Sequence, residues 1–140
     1  MLQGREVLDF GCGTGLLAIA AVKMGAKKAV GVEIDKQSVE TAKRNVELNM
    51  LSSKIAIREG SWEVVHEKYD LILANLVPSA ILRTGGRIPY RLVNNGKVVL
   101  SGFGKNRCQE VERFFMKLGF ITTHRSTLEG WSALLMEKVK

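Results

Sequence analysis

The chain is poor in the features that mark several protein classes. Two cysteines, Cys12 and Cys108, stand among 140 residues. That is too few for a disulfide scaffold, and the expected setting is reducing and cytoplasmic. No apolar run approaches the ~20 residues that cross a bilayer, so no membrane partner is expected. The opening Met1-Leu2-Gln3-Gly4-Arg5 lacks the charged and apolar regions of a secretory leader. His66 and His124 are isolated, neither is expected to act in catalysis, and no spacing of ligating residues suits a metal. Repeats, low-complexity tracts and linkers are absent.

Acids are missing from one long stretch. Residues 1–70 hold ten Lys/Arg and ten Asp/Glu, whereas residues 71–140 hold eleven basic residues against Glu110, Glu112, Glu129 and Glu137. The net charge of +7 therefore belongs to the second half. Between Asp70 and Glu110 stand Arg83, Arg87, Arg91, Lys97, Lys105 and Arg107 with no acid among them. One reading is a solvated surface that maintains solubility. The other is a field that attracts phosphate-rich partners, RNA or an acidic surface, through residues 83–107.

What is present fits one globular domain over residues 1–140, with 46% apolar and 25% charged residues. Strand-like and helix-like segments alternate, which predicts βαβ units and a mostly parallel sheet with helices on both faces. Strands are expected at 6–10, 29–32, 54–58, 69–74 and 97–101, the last entered through an Asn94-Asn95-Gly96 turn. Helices are expected at 16–24 and about 36–50, the second capped by Asp35. Pro78 starts a third helix, which Gly85, Gly86 and Pro89 keep short or interrupted. Val111, Phe114, Phe115 and Leu118 mark an amphipathic helix, and strands at 120–126 and 131–137 close a hairpin through Leu128-Glu129-Gly130, so the last pair is antiparallel.

The chemistry concentrates in Asp9-Phe10-Gly11-Cys12-Gly13-Thr14-Gly15, between the first strand and the first helix. Glycines there let a ligand approach the main chain, and a helix start offers N–H groups. In an open α/β sheet, ligands bind beyond the carboxyl ends of the strands. The spacing G-x-G-x-G, with Leu16 next, departs from the dinucleotide fingerprint, and the Gly-Lys-Ser/Thr of a phosphate loop is absent. Glu33, at the end of the second strand, offers a carboxylate that can accept both hydrogen bonds of a ribose diol.

With Val30-Gly31-Val32-Glu33-Ile34-Asp35, this loop resembles class I S-adenosylmethionine-dependent methyltransferases over essentially the whole chain. The resemblance implies a Rossmann-like, seven-stranded, mostly parallel sheet with an antiparallel final strand. It implies S-adenosyl-L-methionine as cofactor and S-adenosyl-L-homocysteine as product. Gly11, Gly13 and Gly15 would hold the methionine end, with Cys12 contributing mainly its backbone. Glu33 would hold the ribose, with Ile34 beside it. Asp9 would organise the loop and, through water, the cofactor ammonium. Adenine would lie near Gly60-Ser61-Trp62, where Ser61 stands in place of the aspartate of many relatives. Trp62 either stacks on the adenine or is a core or lid aromatic.

A closer resemblance is to the PrmA-type methyltransferases of ribosomal protein eleven of the large subunit. It is carried by residues 7–21, Gly25-Ala26-Lys27-Lys28, Asn45-x-x-x-Asn49, Ala74-Asn75-Leu76, Val99-Leu100-Ser101-Gly102-Phe103 and Glu129-Gly130-Trp131. It implies methylation of a protein amino group, the substrate being a ribosomal protein, with Asn75 contacting the cofactor and orienting the acceptor amine at the catalytic centre. Two departures fall on substrate recognition. The family's separate N-terminal recognition domain is not expected in residues 1–140, which leaves a role for a partner domain or an oligomer. The stretch 83–91 is also more basic than usual. Two other readings stay open: a nucleic-acid methyltransferase, though Asn75-Leu76-Val77-Pro78 lacks the motif that stacks a flipped base, and a cofactor-binding module inactive without a partner domain.

Overall fold

The computed structural model describes residues 2–139; Met1 of the opening segment and Lys140 of the basic half lie outside the described residues. The elements are β1 (Glu6–Phe10), α1 (Leu16–Lys23), β2 (Lys28–Glu33), α2 (Lys36–Leu48), β3 (Ile55–Glu59), β4 (Tyr69–Asn75), α3 (Pro78–Thr84), β5 (Leu92–Gly104), α4 (Cys108–Lys117), β6 (Phe120–Leu128) and β7 (Trp131–Lys138). The strands form one sheet in the order β3-β2-β1-β4-β5-β7-β6. All neighbours pair in parallel except β7, which runs antiparallel to both β5 and β6. This is the seven-stranded, mostly parallel architecture expected above.

Alternation along the strands divides the core between the two faces. Val7, Ala29, Ile55 and Leu71 pack with Ala18, Ile19 and Val22 of α1 and Val46 of α2. Leu8, Val30, Ile72, Val98 and Leu134 point the other way, toward Ile81 of α3 and Val111 and Phe115 of α4. Leu8, Ile72, Leu100 and Leu134 are completely buried, and burial of each such side chain contributes about 1.5–3 kcal/mol.

The third helix is interrupted as its glycines and proline predict: α3 gives way to a 3₁₀ segment over Gly85–Arg91. Asp35 caps α2 by accepting the Ser38 N–H at 2.9 Å. The fifth strand differs from expectation. It begins at Leu92, because that fully buried side chain adds a rung opposite Tyr69. The next rung pairs Leu71 with Lys97, so residues 93–96 loop out of the ladder, with Asn95 at φ +63°. The expected turn is therefore a bulge inside a longer strand. The tight connection after β6 carries positive φ at both Glu129 and Gly130, the geometry that suits the twist of a two-residue hairpin.

Candidate functional site

The switch in sheet order lies between β1 and β4, and the glycine loop leaves β1 there. Asp9, near the end of β1, is 1% exposed. Its Oδ2 accepts the Ala18 N–H at 3.1 Å, so it caps the first turn of α1 from inside the protein. Burial pushes its carboxyl up to about 7, against the lowering effect of the Ala18 bond and with a further push from Glu33. The N–H groups of Gly11 and Cys12 both donate to the Val32 carbonyl, at 2.8 and 2.9 Å, which binds the loop to the end of β2. Cys12 is buried, and that burial, with Asp9 and Glu33 nearby, raises its thiol to about 12. It is an inert packing group.

Glu33 bridges the loop and the start of α2. Its Oε1 accepts the Gly13 N–H at 2.8 Å and its Oε2 accepts the Asp35 N–H at 2.9 Å. A second brace comes from Asn45 of α2, whose Nδ2–H donates to the Thr14 carbonyl at 2.9 Å. Sequence reasoning noted Asn45 without a role, because its partner lies 31 residues away.

A cavity of about 180 Å³ opens beside the loop. Phe10 and Gly11, Glu33 and Ile34, Ser61, and Leu76 bring residues of four chain segments to its wall, and Ala80, Arg83 and Thr84 of α3 close it. Gly11 has φ +74°, and a Cβ there would meet Leu76 Cδ2 at 2.6 Å, so only glycine lets the loop approach this wall. Of the expected residues, Gly11, Glu33, Ile34 and Ser61 line the cavity, while Asp9, Cys12, Gly13 and Gly15 support or flank it. Trp62 does not line it. Its ring stacks on Phe10 with centroids 4.0 Å apart, and its Nε1–H donates to the Thr84 carbonyl at 2.9 Å. Trp62 therefore packs between Phe10 and the end of α3, beside the cavity. Phe10, Ala80 and Thr84 were missed by sequence reasoning, since no local pattern ties α3 to β1.

Asn75 is exposed at the end of β4. Ser101 Oγ–H donates to its Oδ1 at 3.2 Å, and the next N–H, of Leu76, donates to the Ser101 carbonyl at 3.0 Å. Gly102 lies against both residues: its φ is +96°, and a Cβ would meet Leu76 O at 2.7 Å and Asn75 Oδ1 at 2.8 Å. Asn75 walls a second cavity of about 360 Å³, shared with Ser126, Leu128 and Trp131 of the β6–β7 hairpin. Adjacent residues thus face two cavities, Leu76 the first and Asn75 the second. A larger cavity, about 580 Å³, contains Arg5, Asp70 and Lys97 at the opposite end of the parallel strands and none of the loop residues.

The basic stretch expected to act as one field is not one surface. Arg83 and Arg87 border a groove beside the first cavity. Arg91 donates to the His66 carbonyl at 3.1 Å, Lys97 lies at the far end of the sheet, and Arg107 pairs with Glu110 at 2.6 Å. The charges are scattered because β5 carries the chain from one end of the sheet to the other.

A family profile described as "Ribosomal protein L11 methyltransferase (PrmA)" matches residues 1–139. A ribosomal protein L11 methyltransferase of Shewanella sp. (strain ANA-3) is 36% identical over 133 residues, covering 95% of this chain and 45% of that protein. Among solved structures, a ribosomal protein L11 methylase from Lactobacillus delbrueckii subsp. bulgaricus superposes with a TM-score of 0.94 at 28% identity, over 100% of this chain and 73% of that one. An RNA methyltransferase from Salinibacter ruber, solved with S-adenosyl-L-homocysteine, superposes with a TM-score of 0.82 at 20% identity, over 99% of this chain and 84% of that one. That last likeness concerns the fold alone. The chain spans a little under half the length of the curated relatives it matches, 45% of the Shewanella protein.

Proposed function

Since the chain belongs to the PrmA family of ribosomal protein L11 methyltransferases, we propose that it moves a methyl group from S-adenosyl-L-methionine to an amino group of a ribosomal protein. One observation carries this reading: consecutive residues, Leu76 and Asn75, wall the two cavities that a donor and an acceptor would occupy.

The donor cavity suits an adenosine. Apolar Phe10, Ile34, Leu76 and Ala80 offer faces for a base, and the Glu33 carboxylate stands at the rim with lone pairs beyond its two backbone bonds. A Cβ at Gly13 would meet nothing within 4 Å, so the loop is unobstructed at that residue. Glu33 would hold the ribose hydroxyls, Ser61 and the backbone around it the base, and the loop from Gly11 to Gly15 the methionine end. Asp9 keeps that loop in shape through its bond to Ala18. The bound cofactor supplies a sulfonium-activated methyl group for in-line displacement. The protein's share is alignment and exclusion of water. The Asn75 Oδ1 atom, aimed by Ser101, accepts a hydrogen bond from the incoming uncharged amine and directs its lone pair toward the donor cavity.

The test is a labelling experiment. The chain is incubated with radiolabelled cofactor and total cell extract, and the products are digested separately with protease and nuclease. Label released by protease and stable to nuclease is expected. Label lost to nuclease, or absent despite measured cofactor binding, overturns the assignment.

A further inference from the structure

The Arg83–Tyr90 segment is unused by the reaction above, apart from the edge that Arg83 lends to the donor cavity. It borders a groove of about 560 Å³ walled by Ser61, Trp62, Glu63, Arg83, Arg87 and Tyr90. Arg83 and Arg87 are both exposed, and the ion pairs among the described residues include neither of them. The one carboxylate in the wall, Glu63, is held by the backbone rather than by an arginine: its Oε1 accepts the Ser61 N–H at 2.8 Å. Tyr90 is 72% exposed, far more than an aromatic ring needs for packing.

Local geometry puts these groups on one side. In a 3₁₀ helix, residues three apart eclipse each other, so Arg87 and Tyr90 project together from the Gly85–Arg91 segment. Their inward counterparts, Gly85 and Ile88, are buried. Two guanidinia outside any of these ion pairs, beside an exposed ring, match the phosphate and base of a single-stranded nucleotide, which proteins bind by charge and stacking. An acidic peptide would satisfy the arginines and leave the ring without a planar partner.

We infer that this groove is a docking site for single-stranded RNA, beside the donor cavity and separate from the acceptor cavity at Asn75. It does not depend on the methyl-transfer assignment.

The probe is a fluorescein-labelled twelve-nucleotide uridine RNA, with polyglutamate of similar charge in parallel, followed by anisotropy across a salt series. RNA binding with a steep salt dependence is expected. Each lost phosphate contact reduces the slope of log affinity against log salt by about 0.7 for a single strand. Arg87→Gln should therefore flatten the slope by about 0.7, and Arg83→Gln with Arg87→Gln by about 1.4. Tyr90→Ala should weaken RNA binding about tenfold, by loss of stacking, and leave the slope unchanged. Arg87→Gln and Tyr90→Ala lie outside the donor cavity, so unaltered cofactor-induced thermal stabilisation certifies their fold. Slopes equal to wild type in both arginine variants, no RNA binding, or polyglutamate binding with the same dependence on Tyr90 would overturn the inference. Cofactor binding is read independently, so failure here leaves the methyltransferase reading intact.

Discussion

Asp9 shows how one buried group can shape a site and expose itself to measurement. An unfolded aspartate ionises near 3.8, whereas burial holds Asp9 up to about 7. Between those pH values the folded protein keeps a proton that the unfolded chain has released. The unfolded state then binds fewer protons, so stability is fully present below about pH 3.8 and declines as pH rises toward 7. The slope from this group approaches about 1.4 kcal/mol per pH unit. Glu67, held down to about 2 by Arg58, loses its own contribution only as pH falls below about 4.5, and Cys12, pushed up to about 12, acts only in the alkaline range. Asp9→Asn keeps an oxygen for the Ala18 N–H and removes the titration. Urea unfolding from pH 4.5 to 7.5 should show a decline for the wild type that is absent from the variant; identical pH slopes would show that Asp9 folds as an anion. Asp9 and Glu33 were legible in the sequence because they flank a glycine loop at fixed spacing. Trp62 and Asn45 were only half legible, since the direction of each side chain is set by distant partners, the Thr84 carbonyl for one and the Thr14 carbonyl for the other.

At the level of elements, position in this fold comes from interruptions as much as from regular structure. The irregularity in β5 between Ser101 and Phe103 lets Gly102 rest against Asn75 and Leu76, fixing the wall between the two cavities. Gly102→Ala would place a methyl group 2.7 Å from the Leu76 carbonyl at a φ of +96°, so the backbone of the wall must move. A misplacement of about 1 Å can cost about 100-fold in rate, and a loss of that order in methyl transfer is expected at saturating cofactor. Gly104→Ala is the control in the same strand. Its Cβ would crowd the terminal Oδ1 of the Asn106 side chain, at 2.7 Å, which can swing away, and would meet the Gly130 carbonyl at an ordinary 3.8 Å, so near-normal rates are expected. Equal rates for the two variants would detach the β5 bulge from catalysis. The broken third helix was readable from Pro78, Gly85, Gly86 and Pro89, because those residues act locally. The early start of β5 was not, because Leu92 joins the ladder only through its long-range pairing with Tyr69.

At the scale of the whole molecule, the donor cavity gathers distant segments around the switch in strand order. Walls of the donor cavity come from β1, β2, the Gly60–Ser61 bend and α3, so a ligand there couples segments that span residues 10 to 84 of the chain. A ligand that binds only the folded state raises its stability by mass action, about 2.7 kcal/mol at one hundred times Kd. For a domain of this size that corresponds to a rise in Tm of roughly 9 °C. S-adenosyl-L-methionine and S-adenosyl-L-homocysteine should both produce such a rise, since adenosine and the amino-acid end are common to them. Glu33→Ala should abolish it, because that carboxylate is both the group offered to the ribose and the acceptor for the Gly13 and Asp35 N–H groups. Glu33→Gln is the milder change. It keeps one oxygen for a loop N–H and turns an amide NH2 against the other, so a lowered ligand-free Tm and a cofactor shift that is reduced but not abolished are expected. A wild-type Tm that does not move in millimolar cofactor would overturn the cofactor assignment. A full shift in Glu33→Ala would leave the donor cavity without its ribose anchor and move the binding site elsewhere on the sheet.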